Sequence, residues 1–321
     1  DGRLEVRQFV GGQSNPTYLL SDGTRSWVLR RKPPGPLVSS AHATDREFRI
    51  LSALAESAVP VPRVRFYCDD ADVIGTEFYV MDRVEGRILM DQTLPGWSPE
   101  ARRAFHASQL DVLAAIHRVD FEALGLGDYG KRGNYFARQV HVWSKQYAAA
   151  DRAAEERCAS MERLMEWLPE NIPADDTTTI VHGDFGLNNL MLHPTEPRIA
   201  AVLDWELSTL GQPIADVTYP LSARLFPASP FQDLDENALR AAGLPTQTEY
   251  VAGYCDRTGR DGIPDLDWYL AFHLFRTAGI MFGIAGRAKA GTAASDQARG
   301  LGASAVPLAD RALELARALG A

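Results

Sequence analysis

An α+β fold is predicted, with a small antiparallel β-rich part over residues 1–82 and a larger, mainly helical part over residues 83–321. Three observations predict it. Short apolar runs broken by Gly-, Asn- and Pro-bearing turns fill much of the chain as far as Met81, the pattern of strands. From Trp97 onward the apolar residues recur at helical spacing instead. Within that helical part, Ile180-Val181 enters a polar turn, Leu190-Met191-Leu192 leaves it, and Ile199 to Leu203 returns the chain to end on Asp204, a short β-hairpin.

Val6 to Val10 and Thr17 to Leu20 read as the first two strands, joined by Gly11-Gly12-Gln13-Ser14-Asn15-Pro16. That connection is either a plain turn or a phosphate-covering loop, since Gly lets backbone N–H groups approach an anion and Ser14 adds a hydroxyl donor. Trp27 to Lys32 is a third strand ending in the cations Arg30, Arg31 and Lys32, with Arg30 and Lys32 on one face. His42 to Ala58 is expected to be a helix with Phe48, Leu51, Leu54 and Ala55 on its apolar side and Glu47 beside it. Val59-Pro60-Val61-Pro62 ends it, and Phe78 to Met81 is a further strand.

Ser98-Pro99-Glu100 supplies an N-cap, a proline at the first helical position and an early acid, and Leu110, Leu113 and Ile116 follow at helical spacing. Asn134 to Ala150 is a second long helix bearing Tyr135, Phe136, Trp143 and Tyr147, a stripe that reads as core or as one wall of an acceptor pocket. The region from Thr248 is helical. Within Trp268 to Lys289, Arg276 and Arg287 stand eleven residues apart, so an unbroken helix carries both on one face, roughly 16 Å apart. Gly279, Gly283 and Gly286 thin the same stretch for close helix packing or for close approach of a ligand. Leu308 to Leu319 is a final packing helix.

A net charge of −9 argues against general affinity for nucleic acid or an anionic membrane. Cys68, Cys158 and Cys255 are odd in number and widely spaced, which excludes a disulfide framework and suits a reducing cytoplasm. Asp1 to Val10 has no signal-peptide pattern. Tyr269 to Ala285 is the most apolar segment, yet His273 and Arg276 in its middle favour a buried helix over a membrane span.

The chemistry is concentrated in His182-Gly183-Asp184-Phe185-Gly186-Leu187-Asn188-Asn189 and in Asp204-Trp205-Glu206. A hairpin brings Asp184, Asn189 and Asp204 near one another, and two acids with an amide suit a hard cation such as Mg²⁺ beside a group that accepts a proton. Asp, Asn five residues on, then Asp at a strand end is the kinase order of base, metal ligand and metal ligand. With these motifs the chain resembles the aminoglycoside phosphotransferase and choline kinase superfamily. It is most similar there to the kinase-like domains that occur alone in bacteria or fused to acyl-CoA dehydrogenases.

The resemblance implies a bilobal protein-kinase-like fold and transfer of the γ-phosphoryl group of ATP, with Mg²⁺, to the hydroxyl of a small-molecule acceptor. It implies Asp184 as the group that accepts the hydroxyl proton, His182 as a brace of the loop, and Asn189 and Asp204 as metal ligands. The loop Gly11, Gly12, Gln13, Ser14 and Asn15 covers the phosphates. Arg30 takes the place of the usual lysine, fixed by Glu47, although Lys32 on the same face is an alternative phosphate contact. Backbone groups at Met81, Asp82 and Arg83 hold the adenine, and Asp216 braces the catalytic loop. Tyr135, Trp143, Arg276 and Arg287 contact the acceptor, expected to be a hydroxy acid or hydroxyacyl-CoA. An aminoglycoside, choline-like or homoserine-like acceptor and a nucleotide-binding scaffold remain as alternatives. No nucleic acid or membrane partner is expected, and a homodimer is compatible with the sequence.

Overall fold

The computed structural model describes residues 4–9, 15–33, 44–154, 157–227, 229–289 and 302–321. Contacts divide the chain into two compact units, Asp1–Tyr129 with His182–Thr209, and Gly130–Val181 with Leu210–Ala321. This division differs from the expected boundary at residue 82, because residues 83–129 and the hairpin within His182–Thr209 join the unit that holds the N-terminal sheet.

The first unit is built on a five-stranded sheet of β1 (Glu5–Gln8), β2 (Thr17–Ser21), β3 (Ser26–Arg31), β4 (Val64–Cys68) and β5 (Phe78–Asp82), in the order β1-β2-β3-β5-β4. Every pairing is antiparallel. The β2–β3 turn closes on Asp22, whose carboxylate accepts from Thr24 N at 2.8 Å and Arg25 N at 2.7 Å. The register sets Arg30 opposite Tyr79 and Val28 opposite Met81.

Helix α1 (Thr44–Leu54) packs on β4 and β5. It stops short of the expected Ala58: Ser57 N and Oγ both donate to Leu54 O, and Val59-Pro60 cannot continue a helix. Its buried row is Thr44, Glu47, Ile50, Leu51 and Leu54. Phe48 is half-buried against Tyr67 and Tyr79, and Ala55 is exposed, so the carboxylate, and not the phenyl ring, is the innermost group of that turn. A short α2 (Ala71–Ile74) precedes β5, and α3 (Pro99–His117) starts as its sequence predicts, with Ser98 Oγ accepting from Ala101 N at 3.2 Å. Strands β7 (Leu190–Leu192) and β8 (Ile199–Val202) form the antiparallel hairpin. The segment at Arg87 bridges to Leu192 across Gly86, where a Cβ would stand 2.3 Å from Leu192 O.

In the second unit, strands β6 (Thr179–Val181) and β9 (Thr209–Gly211) pair, and the rest is helical: α4 (Tyr135–Ala154), α5 (Ala159–Glu170), α6 (Ile214–Ala223), α7 (Glu236–Ala241), α8 (Gln247–Thr258), α9 (Leu266–Lys289) and α10 (Ala305–Ala318). Helix α9 packs on α4, α6 and α10. Phe136 of α4 anchors it among Trp268, Tyr269 and Phe272 at centroid distances of 5.3, 5.1 and 5.1 Å. A Cβ at Gly279 would meet Trp143 O at 4.0 Å and one at Gly286 would meet Ala150 O at 3.9 Å, so these glycines lie along the α4 backbone. His273 is buried, and desolvation followed by the nearby Arg276 charge pushes its pKa down to about 3, which keeps it neutral inside the bundle. No helix among the described residues is long and apolar enough to cross a membrane. The described cysteines are all free thiols.

Replacing Gly86 with Ala drives a methyl group into a backbone carbonyl that has no freedom to retreat, because Arg87 N and Leu192 N both bond across the same bridge. The expected loss is about 1–3 kcal/mol in urea unfolding; a variant as stable as the parent would show that the bridge can open without cost.

Candidate active site

Strand β6 delivers the chain to His182, which is fully buried. Its Nε2 lies 2.9 Å from Leu203 O and its Nδ1 lies 3.2 Å from Asp184 N. A carbonyl can only accept and an amide N–H can only donate, so the ring is neutral with its proton on Nε2. Both nitrogens are thus spent on backbone. Gly183 has φ +81°, and a Cβ there would stand 2.8 Å from Leu207 O, so the turn admits no side chain.

The half-buried Asp184 follows, and the chain folds back through a 3₁₀ turn at Leu187–Asn189. Asn189 is buried, and its Nδ2 donates to Asp184 O and Asp184 Oδ2, each at 2.9 Å. Asn189 O accepts from Leu203 N at 2.8 Å, which ties the loop to the residue before Asp204. Asp204 itself is left-handed, with φ 61° and ψ 67°, a conformation that Asp tolerates better than most side chains.

Arg30 gathers the acids. Its Nε lies 2.9 Å from Glu47 Oε2, and its Nη2 lies 2.6 Å from Asp204 Oδ1 and 3.3 Å from Glu206 Oε2. Side-chain exposures of 12% for Arg30 and 2% for Glu47 place this pair out of bulk water. Burial pushes the Glu47 carboxyl up, and Arg30 opposes that shift. Burial works against the Arg30 charge too, but Glu47, Asp204 and Glu206 outweigh it and hold the guanidinium more firmly protonated. Glu47 Oε1 also accepts from Trp205 N at 3.2 Å, so one carboxylate fixes both the strand cation and the turn after Asp204. The Trp205 ring packs on His182 at 4.8 Å.

Other expected residues fall elsewhere. Lys32 lies just past the end of β3 and pairs with Glu77 at 3.2 Å, away from the Arg30 acids. Asp82 is held by Arg65 through two 2.6 Å bonds, and its N–H donates to Arg63 O at 2.8 Å. Met81 pairs with Val28 and Val64 inside the sheet, and Arg83 is exposed. Gly11, Gly12, Gln13 and Ser14 lie outside the described residues; Asn15 is buried and donates from Nδ2 to Glu206 Oε2 at 3.2 Å.

In the second unit, Arg276 lies over the Trp143 ring at 5.2 Å and the Tyr219 ring at 5.6 Å. Helix α9 is unbroken between Arg276 and the exposed Arg287, whose Nη1 would lie 3.6 Å from a Cβ at Gly283. Tyr135 is core, with its hydroxyl pushed up to about 12 by burial. Asp216 is buried in the first turn of α6, and its charge is felt by Tyr135, Tyr250, Tyr254 and His273. Sequence reasoning missed Glu206, Trp205 and Tyr219. The first two stood in plain view beside Asp204, but nothing in the string says that Glu206 turns toward Arg30.

The donor set at Asn189 and Asp204 is oxygen-based, and Asp204 remains 34% exposed. Among the described residues no three His, Cys, Asp or Glu side chains form a metal cage. That combination fits Mg²⁺, which uses one or two carboxylates and takes its remaining oxygens from water and phosphate.

The model of the phosphotransferase enzyme family matches residues 5–254. Acyl-CoA dehydrogenase family member 10 of Mus musculus is 45% identical over 320 residues, which are 98% of this chain and 29% of that protein. The chain spans less than half the length of the curated relatives it matches. A protein of Ralstonia eutropha JMP134, provisionally named an aminoglycoside phosphotransferase, has a crystal structure that superposes with a TM-score of 0.89 at 46% identity, over 99% of this chain and 94% of its own. A thermostable mutant of the aminoglycoside phosphotransferase APH(4)-Ia, in ternary complex with AMP-PNP and hygromycin B, superposes with a TM-score of 0.60 at 18% identity, over 97% and 93% of the two chains, a likeness of fold. The expected α+β kinase-like fold is therefore borne out, and this chain belongs to the phosphotransferase enzyme family.

Proposed function

We propose that this chain transfers the γ-phosphoryl group of ATP to the hydroxyl of a small anionic acceptor, a hydroxy acid or hydroxyacyl-CoA. The observation that carries the reading is the convergence on Arg30 of Glu47 and Asp204, with Asn189 joined to Asp184 on the adjoining loop. Residues 1–82 act as the nucleotide-binding lobe and residues 83–321 as the catalytic and acceptor-binding lobe.

Asp184 accepts or orients the acceptor's hydroxyl proton, and Asn189 holds that carboxylate in one rotamer. His182 braces the loop with both ring nitrogens and takes no part in proton transfer. Asn189 and Asp204 would hold Mg²⁺, whose charge offsets that of the phosphates. Arg30, set by Glu47, grips phosphate oxygens, while Asn15 and the Gly11–Ser14 loop cover them. The exposed Arg83 offers backbone groups to the adenine, whereas Met81 is paired with Val28 and Val64 within the sheet and the Asp82 N–H is already spent on Arg63 O. Lys32, held by Glu77, steers anions at a distance. Asp216, buried in the first turn of α6, has a supporting role. Arg276, over the rings of Trp143 and Tyr219, and the exposed Arg287 supply charge for an anionic acceptor, and Tyr135 contributes to the wall of its pocket. Most of the rate enhancement in such a site comes from positioning and charge stabilisation.

The acyl-CoA dehydrogenase names among the relatives support an acyl-chain acceptor. The name of the Ralstonia eutropha protein, with the net charge of −9, favours a second reading in which the acceptor is a cationic aminoglycoside. Mg²⁺-dependent ADP release, measured across hydroxyacyl-CoAs, free hydroxy acids, aminoglycosides and amino alcohols, separates the two; release with none of them overturns both.

Asp184→Asn is expected to lower kcat at least about 10²-fold while the dissociation constant for Mg·ATP stays near the parent value; an unchanged kcat removes its role as base. In Asp204→Ala, Mg²⁺-dependent nucleotide binding should vanish in calorimetric titrations, and parent-like affinity would contradict the metal assignment. Arg276→Ala and Arg287→Ala should each raise KM for the anionic acceptor about tenfold, worth ~1.4 kcal/mol, with KM for ATP little changed. Equal effects on both substrates would return the arginines to a packing role.

A further inference from the structure

Arg30 and Arg260 leave water in the company of acids, the first with Glu47, Asp204 and Glu206 and the second with Asp175. Arg224, half-buried at the C-terminal end of α6, forms no ion pair among the described residues. Among them the one titratable group whose charge it feels is Tyr250. Desolvation pulls its pKa down, yet a guanidinium keeps its proton at any working pH, so the charge stays.

The donors of Arg224 are unevenly used. Nη1 donates to Pro245 O at 2.6 Å, and the Phe231 ring covers one face of the plane, its centroid 4.8 Å from Cζ. Nε is buried with no hydrogen-bond partner, and Nη2 makes no bond among the described residues. Nε–H and the neighbouring Nη2–H point the same way along one edge, the fork that takes two oxygens of a carboxylate or phosphate at once. Tyr250, 1% exposed, has a buried hydroxyl that also lacks a partner, and it lies close enough for the two charges to act on each other.

The helix ends point the same way. The carbonyl that Arg224 holds precedes Thr246, the N-cap of α8, so the cation stands at the positive end of that helix, the reverse of the favoured pairing. Glu249, the acid of that turn, is directed to Thr246 N and to Arg240. The C-terminal end of α6 does favour a cation, but it leaves the Arg224 Nε–H without an acceptor. Buried donors without acceptors are costly. A water would satisfy the donors and leave the charge uncompensated, whereas an oxyanion answers both.

We propose that Arg224 and Tyr250 form a binding site for a small oxyanion, a carboxylate or phosphate group, with the Nε–Nη2 edge of Arg224 as its fork and the Tyr250 hydroxyl as a third donor. Five residues separate Arg224 from Tyr219, whose ring faces Arg276, so the two leave α6 about 140° apart around the helix. The site is thus on another side of α6 from the Arg276 and Trp143 pair. It takes no nucleotide and stands apart from the phosphotransferase reading. The oxyanion is either a free ion or the charged end of a larger molecule.

The test is calorimetric titration of the full 321-residue chain, in a buffer without oxyanions, with inorganic phosphate, 3-hydroxybutyrate and 3-hydroxybutyryl-CoA. The parent protein should bind at least one of them, and that probe should raise its Tm. Arg224→Gln keeps a donor for Pro245 O but loses the charge and the fork. It should bind the probe at least about tenfold more weakly and lose the rise in Tm. Tyr250→Phe removes the hydroxyl alone and should weaken binding at least about threefold. Binding of phosphate or free 3-hydroxybutyrate supports the site as one for a free ion, and binding of the CoA thioester alone supports it as one for the end of a larger molecule. Equal affinity in the parent protein and Arg224→Gln overturns the proposal, and so does binding of none of the three. A probe whose binding falls in Arg276→Ala but not in Arg224→Gln is held elsewhere, which overturns it too. Should Arg224→Gln fail to fold, Tyr250→Phe decides, and unchanged affinity there overturns the site. None of these outcomes alters Mg²⁺-dependent ADP release, on which the phosphotransferase reading is judged.

Discussion

The buried pair between Arg30 and Glu47 is the constraint on which the rest of the first unit depends. Removing two charges from water costs several kcal/mol per ion unless geometry and further hydrogen bonds repay it. Here the repayment is distributed. Arg30 reaches Asp204 and Glu206 with its outer nitrogen, and Glu47 uses its second oxygen on Trp205 N. Arg30 and Glu47 lock together β3, α1 and the 204–206 turn, and Glu206 adds Asn15 to them. Breaking one partner would strand the others, so this polar cluster acts as a structural element as much as a chemical one.

The arginine at this position has consequences that a lysine would not have. A lysine ammonium is a compact point charge, whereas the guanidinium spreads its donors along a rigid plane. Nε can face the helix acid while Nη2 faces the strand-end acids, and both arrangements hold at once. The same plane on Arg276 serves a different purpose in the second unit, where it lies between Trp143 and Tyr219 and keeps its charge next to aromatic faces.

Around Asp184 the organisation is almost wholly backbone. His182 bonds a carbonyl and an amide, Asn189 ties its amide to Asp184, and Leu203 N closes on Asn189 O. In these turns Gly183 and the left-handed Asp204 adopt a conformation that most residues avoid. Such strain persists only where surrounding contacts over-determine it, and it clusters at sites that must be preorganised. Trp205, fully buried against the His182 ring, supplies that determination by joining the two turns through packing.

The sequence by itself determined strands β1, β2, β3 and β5, helices α4, α9 and α10, the start of α3 at Ser98, the β7–β8 hairpin and the string of polar residues it presents, because these follow from local periodicity and capping, whereas β4, α2, α5 and α7 carried no such pattern. It also carried the family, through Asp184, Asn189 and Asp204 in their spacing. Helix α1 was legible to within a turn, but not that Glu47 would be its innermost group, since a carboxylate among charged neighbours looks like a surface. Only the tertiary structure set Arg30 among Glu47, Asp204 and Glu206 and Lys32 beside Glu77. Both share a strand face by period, yet Lys32 lies just past the end of β3, where its N–H donates to Glu77 O and its ammonium pairs with the Glu77 carboxylate. Only the tertiary structure, too, brought Glu206 to Arg30 from 176 positions away and to Asn15 from 191. Local preferences fix which way a side chain leaves the backbone; which charge it meets is set by long-range packing, and a buried charge must meet one.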